Sequence, residues 1–409
     1  MAVSDRMNNP NKRSPADGTR IALAYWRMSD SDWEYQVNGE RNPANPDRFS
    51  RLMRLTNDMV KAGLEKDGRR PDYILYPELA MPWRWFLLAE KKVRQYRISL
   101  ISGVEYTRST RKQMLLNEVW CGLTHSGNGF PDSLLIKVQK TCPANDERSG
   151  LKAHNWVLDQ LTPFGGFRAG DVIKHETKDS TLFFSVLICS DLTDIDLRRR
   201  LRGKIDLLCV PAWNRDVKTF NALVTSAAYD LHSYVAMCNN GQYGDTRIRG
   251  PFVRDYARDI VQLKGGDNDY WVVGSVNAEA LRRFHKECPA PSDPKFKPVP
   301  IGFKMSQMRG DCVIRIVTYN AIKSFRFVKV VDSVILVSIQ PTAGKTKRKD
   351  FKFDLSTFGE DGEVLKAVGE LVSKGVPSDV IKEFLLTCKI CAGVDVGDWA
   401  KMSMATIMT

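Results

Sequence analysis

The sequence predicts an α/β fold built from layers of strands and helices. Between residues 19 and 287, short apolar runs typical of buried strands alternate with segments whose apolar residues recur at helical spacing. The chain has 409 residues, 43% of them hydrophobic and 27% charged, which is typical of a soluble globular protein with one large domain and an additional module. It contains no run of about 18 apolar residues, so we expect neither a transmembrane helix nor a membrane partner.

The first half of the predicted domain runs from Thr19 to Thr141. A strand in TRIALAYWRM precedes a predicted helix over 45–65. The dipeptide Arg70-Pro71 ends that segment, and a buried strand then runs into Pro77-Glu78. The elements predicted next are a helix over 83–96 and strands over 99–106, 117–125 and 132–141, the last two separated by the turn-rich SGNGFPD.

The second half begins with the stretch LFFSVLICSDLTD, residues 182–194, in which an apolar strand ends in a cysteine, a serine and an aspartate. A basic helix over 194–204 follows. The remaining predicted elements are strands over 205–214, 234–244 and 268–277 and a helix over 218–233. This alternation continues to residue 287.

The sequence predicts four segments along the chain. Residues 1–18 are polar and are expected to form a flexible N-terminus, and residues 19–287 form the α/β domain. The proline-rich residues 288–303 are predicted to be a linker. Residues 304–409 are predicted to be an appended α+β module whose role the sequence does not reveal. Its predicted elements are strands over 312–320 and 325–340 and helices over 363–372 and 378–388.

The net charge and the cysteine content limit the class of protein. The net charge of +13 favours an anionic partner or substrate, although the basic residues are dispersed. The run KTKRKDFK at 345–352 would suit nucleic acid, but solvated surface is the simpler interpretation. Nine scattered cysteines are typical of reduced thiols in a cytoplasmic protein. One CxxC without a second pair, and five histidines without metal spacing, predict no metal site.

Four polar residues each lie where a predicted strand gives way to a loop: Glu78, Lys140, Glu147 and Cys189. A thiol that attacks a carbonyl or nitrile carbon needs a base, for which Glu78 is the candidate. The negative charge that develops needs a positive donor, for which Lys140 is the candidate, with Glu147 to orient it. Alone, each would be an ordinary buried thiol, loop carboxylate or surface cation. Lys137 is an alternative to Lys140. We prefer Lys140 because it lies at the strand end.

In this order and spacing, the residues resemble the nitrilase superfamily of carbon–nitrogen hydrolases. The motifs are YPELAMP around Glu78, IKVQKTCPANDE around Lys140 and Glu147, and LICSDL around Cys189, and the resemblance spans Thr19 to Phe284. It implies an αββα sandwich that pairs through its helical face into a homodimer or larger homo-oligomer. It also implies a thioester intermediate and no metal or cofactor.

The resemblance further implies the residues that contact substrate. The candidates are Asp191, Trp213, Asn214, Arg247 and Arg249. The segment 190–194, SDLTD, departs from the family pattern, so the identity of the substrate is open. Because Arg247 and Arg249 are implied to lie near the pocket mouth, the sequence suggests an anionic small molecule.

Three functions remain open at this point. The first is cysteine-dependent hydrolysis of a small amide, nitrile or carbamoyl compound. The second is acyl transfer from the same thioester to an amine. The third is an interaction or sensing module with little turnover, as in bacterial defence proteins that carry nitrilase-like domains.

Overall fold

The computed structural model describes two compact units, which are treated separately below. The first unit comprises residues 1–171 and 177–306, and the second comprises residues 172–176 and 307–409. The described residues are 18–38, 45–64, 68–109, 111–127, 130–160, 167–176, 180–287, 295–304, 312–314, 316–319, 322–331, 334–341 and 349–354. The predicted flexible N-terminus, both predicted C-terminal helices and the CxxC of Cys388 and Cys391 lie outside these residues.

The first sheet of the first unit is mixed. Its strands are β1 (Thr19–Tyr25), β2 (Tyr73–Leu75), β3 (Ser99–Arg108), β4 (Met114–Gly127), β5 (Phe130–Gln139), β6 (Val157–Leu158), β7 (Phe167–Arg168) and, numbered after β8 to β13 below, β14 (Tyr270–Val276). Their order is β14-β1-β2-β3-β4-β5-β7, and β6 pairs with β4. Strands β1, β2 and β3 are mutually parallel, whereas β3, β4 and β5 form an antiparallel meander. The carboxyl end of β2 and the end of β5 therefore carry the predicted Glu78 and Lys140.

The second sheet of this unit lies in the second half of the chain. Strand β8 (Val172–Glu176) belongs to the second unit, and the strands after it are β9 (Thr181–Val186), β10 (Leu207–Ala212), β11 (Tyr234–Asn239), β12 (Thr246–Arg249) and β13 (Asp259–Leu263). Their order is β13-β12-β11-β10-β9. Strands β9, β10 and β11 are parallel, and β12 and β13 pair antiparallel. Strand β9 leads directly to Cys189, as the sequence predicts.

The helices of the first unit have amphipathic or capped sequences. They are α1 (Asp30–Asn38), α2 (Pro46–Lys61), α3 (Trp83–Arg94), α4 (Asn145–Ala153), α5 (Ile195–Leu201), α6 (Val217–Asp230), α7 (Asp255–Arg258) and α8 (Ala278–Glu287). Helix α2 begins because the Asn45 side chain accepts the N–H groups of Asp47 and Arg48, with Pro46 at its first position. Its buried face includes Leu52 and Met59, which pack with Phe86 of α3 over the first sheet.

The two sheets pack face to face because successive side chains of each strand point to opposite faces of its sheet. On β2, Ile74 joins the core under α2 and α3, whereas the Tyr73 ring points the other way and contacts the ring of Phe184 on β9, 6.3 Å between centroids. From β11, the Cys238 thiol donates to the carbonyl oxygen of Ala24 on β1 at 3.1 Å. Both inner faces are therefore buried. The structure confirms the predicted mixed α/β fold with two sheets.

Residues 295–303, in the predicted linker, belong to the first unit. Phe296 is buried and forms a β-bridge with Phe252. Nearby, Nδ1 of His232 and Nε2 of His285 lie 2.8 Å apart, and Nε2 of His232 lies 2.8 Å from the carbonyl oxygen of Lys297. Burial lowers the pKa of both imidazoles, that of His285 to about 4.

Acid is expected to destabilise the first unit through this histidine pair. Since the folded state keeps both imidazoles neutral, the unfolded chain binds more protons below about pH 6.5, so the free energy of unfolding falls as the pH drops from about 6.5 towards 4. The substitution His285→Gln should remove up to about 3 kcal/mol of this fall in urea unfolding series. His154→Gln, at a partly exposed ring, is the control. An unchanged pH dependence in His285→Gln would contradict the prediction.

The described part of the second unit is made of strands. Strand β15 (Cys312–Ile314) pairs parallel with β8. The strands β16 (Ile316–Tyr319), β17 (Ile322–Val331), β18 (Val334–Pro341) and β19 (Lys349–Asp354) form an antiparallel sheet in that order. The antiparallel pairing follows from two long β-branched runs joined by a short connection. Across both units, no helix in the described part of the chain is long and apolar enough to cross a membrane.

Candidate active site

Glu78 follows β2 in a turn that requires a glycine opposite it. Leu79 has a positive φ of 53°, and the N–H of Gly103 donates to the carbonyl oxygen of Pro77 at 3.0 Å. A Cβ at Gly103 would lie only 2.4 Å from the Cα of Glu78. The absence of a side chain at Gly103 therefore lets the Glu78 turn lie directly on β3.

Lys140 and Glu147 lie on either side of a short connection. The N–H of Lys140, directly after β5, donates to the carbonyl oxygen of Asn117 on β4 at 3.0 Å. Glu147 lies in the first turn of α4, where a carboxylate is favoured by the helix dipole. Their side chains are mostly buried, with 4% of Lys140 and 11% of Glu147 exposed.

Cys189 is the first residue of a 3₁₀ helix, Cys189–Thr193, just beyond β9. Its φ is +48°, a conformation that residues with a side chain rarely adopt. Such backbone strain persists only where the surroundings hold it in place, and it is frequent at functional sites. Here β9 and the neighbouring β10 provide that support, since the Leu187 N–H donates to the Cys209 carbonyl at 3.0 Å.

Asp191 ties the cysteine segment to the lysine segment. Its carboxylate accepts the N–H groups of Ile188 at 3.0 Å, Thr141 at 3.0 Å and Cys142 at 2.6 Å. Burial raises its pKa to about 6, although Lys140 and these N–H groups act in the opposite direction. Asp191 is fully buried and does not line the cavity described below. The sequence predicts it to contact substrate, whereas the structure uses its carboxylate to hold two loops together.

The predicted base, cation and orienting carboxylate lie in one hydrogen-bonded network. The Lys140 ammonium donates to Oε1 of Glu78 at 2.8 Å and to Oε2 of Glu147 at 2.6 Å. The Asn117 amide donates to both carboxylates, each at 2.8 Å, and the Tyr106 hydroxyl donates to Glu147 at 2.9 Å. An ammonium has three donors, and among the described residues the third has no partner. One N–H of Lys140 is thus available to a bound molecule.

The electrostatics of this network set the charge of each group. Burial acts to lower the pKa of Lys140, but Glu78 and Glu147 raise it well above its ordinary value. Burial acts to raise the pKa of Glu147, but Lys140 and its hydrogen bonds bring it below the ordinary value. Burial, and then the Glu78 charge, raise the pKa of the Cys189 thiol. The resting site therefore holds an ammonium, a Glu147 carboxylate and a protonated thiol.

The network opens onto a cavity of about 590 Å³. Of the predicted substrate-binding residues, Trp213 and Asn214 line it. The Trp213 N–H donates to Oε2 of Glu78 at 3.1 Å, and its carbonyl oxygen lies 3.8 Å from Sγ of Cys189. The lining residues are Asp30, Trp33, Glu34, Glu78, Leu79, Tyr106, Lys140, Ala144, Asp146, Glu147, Gly150, Cys189, Ser190, Trp213, Asn214, Arg215 and Asp216.

The structure does not bring Arg247 and Arg249 to this cavity. Arg247 is 2% exposed and is paired with Asp245 and with Asp259, and Arg249 donates to Asp259 at 2.8 Å. Both guanidinium groups therefore bind carboxylates of adjacent segments and stabilise β12 in its sheet. Asp245 is close to Arg247 in sequence, but Asp259 meets both arginines only because β13 pairs with β12.

The two candidate lysines occupy different environments. Lys137 is exposed, and its Nζ lies 4.1 Å from the centroid of the Trp120 ring, whereas Lys140 is buried in the network. Asn117 and Tyr106, which support the carboxylates, are not among the predicted site residues. They lie on β4 and β3, the strands adjacent to the predicted site.

The described residues contain no group of three or more His, Cys, Asp or Glu side chains that could hold a metal ion. The network is also unsuited to a cation, because the Lys140 ammonium already lies between Glu78 and Glu147. What the arrangement offers chemically is a thiol, a neighbouring carboxylate and an ammonium with one N–H to donate.

Comparison with known proteins supports a structural similarity only. No family model matches the sequence, and no curated protein matches it. Among solved structures, Nit3 of Saccharomyces cerevisiae, a member of branch 10 of the nitrilase superfamily, is 15% identical over 70% of this chain and 100% of that one, with a TM-score of 0.46. An amidase from Nesterenkonia sp. is 14% identical over 65% of this chain and 93% of that one, with a TM-score of 0.42.

A mutant of the Nesterenkonia sp. AN1 amidase in complex with butyramide is 15% identical, with a TM-score of 0.44, and the match covers 66% of this chain and 95% of that one. The amidase is itself a nitrilase-superfamily protein. These solved structures belong to the nitrilase superfamily, and this chain matches them at low sequence identity.

Proposed function

We propose that this protein is a cysteine-dependent carbon–nitrogen hydrolase that cleaves a small amide, nitrile or carbamoyl compound. The observation that carries the proposal is the convergence of Cys189, Glu78 and Lys140 on one cavity, with Glu147 bound to the lysine. We further propose that the first unit is an αββα sandwich of the nitrilase type that pairs into a homo-oligomer. The predicted cytoplasmic location stays a prediction.

In the first half of the proposed reaction, Cys189 attacks the carbonyl carbon of an amide. The thiol is protonated at rest because burial raises its pKa, so Glu78 must take its proton as the S–C bond forms. The electron pair of the C=O bond moves to oxygen, and the third N–H of Lys140 donates to that oxygen. Glu78 then gives its proton to the amine, the C–N bond breaks, and ammonia leaves a thioester.

In the second half, water attacks the thioester. Glu78 takes a proton from the water as its oxygen bonds to the carbonyl carbon, and Lys140 again donates to the developing negative oxygen. The C–S bond then breaks, Glu78 returns the proton to sulfur, and the carboxylic acid leaves. The base, the donor and the thiol are restored. Glu147, Asn117 and Tyr106 act as positioning residues. The Glu147 carboxylate holds the Lys140 ammonium, and Asn117 and Tyr106 hold Glu147 by donating to it.

The test is an ammonia-release screen over small amides, nitriles and carbamoyl compounds. Wild type is expected to release ammonia from at least one compound, and Cys189→Ala is expected to reduce turnover by about a thousandfold or more. The matched control is Cys142→Ala, since Cys142 is a partly exposed neighbour whose thiol faces Asp194. Turnover by Cys189→Ala at the wild-type rate would refute the proposal.

An interaction or sensing role is a second candidate because the chain has a second unit, whose described part consists of strands, in addition to the first. A ligand that binds the cavity with no ammonia release, and with equal affinity in wild type and Cys189→Ala, would favour this role. If the thioester is instead intercepted by an added amine, the product is a substituted amide rather than an acid, which distinguishes acyl transfer.

A further inference from the structure

The charge of the active-site cavity is opposite to that of the chain. The chain has a net charge of +13, yet six carboxylates and only two cations line the cavity. Field lines concentrate in a cleft lined by one sign of charge, which raises the local concentration of oppositely charged molecules. From this, we propose that the substrate of the proposed reaction carries a cationic group that occupies the outer part of the cavity. The proposal rests on the function proposed above.

Two of the charges at the rim neutralise each other. The Arg215 guanidinium donates to Asp30 at 2.9 Å, and the Tyr243 hydroxyl donates to the same carboxylate at 3.1 Å. Arg215 is therefore occupied by a carboxylate and is not a free site for an anionic substrate. The other cation, Lys140, is held at the inner end by Glu78 and Glu147.

Three carboxylates remain at the rim: Glu34 of α1, Asp146 of α4 and Asp216 before α6. All three are exposed. The Asp216 carboxylate accepts the N–H of Thr219, and this hydrogen bonding lowers its pKa, so it is ionised at neutral pH. The three come from separate segments, and only the fold places them around one opening.

Aromatic rings complete the walls between the rim and the thiol. Trp33, Tyr106 and Trp213 line the cavity together with the carboxylates. A Cβ at Gly150 would lie 3.0 Å from the Trp33 ring, so glycine at this position allows the ring to line the cavity without a steric clash. Aromatic faces attract cations, and their apolar surface suits an aliphatic chain. The cavity therefore offers carboxylates and rings to a cation at the outside.

The inner end of the cavity requires a hydrogen-bond acceptor rather than a cation. There, the unpartnered N–H of Lys140 needs an acceptor, which an amide oxygen provides, and the Cys189 thiol faces the same space. This buried donor is a feature of the site independent of the rim carboxylates. A small molecule with an amide at one end and an ammonium at the other satisfies both ends at once.

The arginines that suggested an anionic substrate are paired elsewhere. Arg247 and Arg249 both bind Asp259. Neither of them lines the cavity. The charge of the substrate is therefore set by the rim carboxylates in this proposal.

The experiment compares three amides of equal chain length whose far end is an ammonium, a methyl or a carboxylate. We expect kcat/KM for the ammonium amide to exceed that for the methyl amide by about tenfold, and the carboxylate amide to be poorer still. The preference should shrink as salt is raised. Equal kcat/KM for all three, or a preference for the carboxylate, would overturn the proposal.

Single substitutions locate the effect. Glu34→Gln and Asp146→Asn should each reduce the ammonium-to-methyl ratio about two- to threefold, and the double substitution should reduce it further. The matched controls are Glu279→Gln and Asp196→Asn, at exposed carboxylates outside the cavity, and they should leave the ratio unchanged. An equal loss in the controls would mean that net charge, and not the rim, sets the preference, and would overturn the proposal.

A second measurement separates this proposal from the proposed function. Methanethiosulfonates with an ammonium, a methyl or a sulfonate end each transfer their alkylthio group to Cys189 as a mixed disulfide and release methanesulfinate, and the thiol proton goes to water. Faster modification by the cationic reagent, without hydrolysis of any amide, would support the charge preference and refute the hydrolase. Hydrolysis of an amide without any charge preference would support the hydrolase and refute the charge preference. A Cys189 that reacts with no reagent, in a protein that hydrolyses nothing, would refute both.

Discussion

Replacing Lys140 by methionine is expected to lower the free energy of unfolding by about 3–5 kcal/mol and to abolish turnover. The substitution keeps the apolar stem but leaves Glu78 and Glu147 as buried carboxylates without a cation between them; their side chains are only 4% and 11% exposed. Urea unfolding measures the first effect. The control is Lys137→Met, at an exposed lysine over the Trp120 ring, which should cost less than about 1 kcal/mol.

The pH dependence of Lys140→Met distinguishes loss of charge pairing from loss of packing. In wild type the pKa of Glu147 is held below its ordinary value by Lys140, so this stabilisation is present above about pH 4.5 and is lost as the pH falls through the folded-state pKa. Without Lys140, burial raises the pKa of Glu147, and protonation of this carboxylate relieves the variant. The difference between the two proteins should therefore shrink as the pH is lowered. A difference that is constant with pH would contradict the pairing.

Replacing Glu78 by glutamine is expected to lower kcat by about a hundredfold to ten-thousandfold while the protein stays folded. Glutamine has nearly the same shape and can still accept the N–H of Trp213, but it cannot take the thiol proton. The Glu78 charge raises the pKa of the Cys189 thiol, so its removal should not slow alkylation of Cys189 by iodoacetamide, and a fall in kcat would then report the lost base rather than a less reactive thiol.

Glu90→Gln is the comparison for Glu78→Gln because Glu90 is also buried but lies on α3, outside the cavity, where Ser133 donates to it. It should leave kcat and the alkylation rate close to wild type. A Glu78→Gln protein within about tenfold of the wild-type kcat would show that another group accepts the proton.

Much of the site could be predicted because each of its groups ends an apolar run. Glu78, Lys140 and Cys189 each follow a strand end by at most three residues, and the buried apolar residues of β2, β5 and β9 mark where those strands stop. Parallel strands such as β2 and β3 deliver their carboxyl ends to one edge, so residues distant in sequence are expected to meet there. Lys140 was favoured over Lys137 on the same ground.

Other features depend on neighbours that no local pattern reveals. Asp191 follows the cysteine by two residues, as a substrate-binding group would, but its carboxylate accepts three backbone N–H groups, two of them from the loop after β5. Residues 172–176 continue the domain in sequence, yet they belong to the second unit, where β8 pairs with β15. In each case the decisive partner is distant in sequence.

The sequence alone predicts helices α2, α3, α5 and α6, most of the core strands and the polar residues at the strand ends, because burial imposes periods of two and 3.6 residues on a single segment. The charge around the thiol, by contrast, depends on the tertiary structure. Arg247 is neutralised by Asp245 and Asp259, whereas Glu34 and Asp146, on separate helices, face one cavity. The electrostatic potential at a point is a sum over all nearby charges, and distances between charges on different segments exist only after the chain has folded.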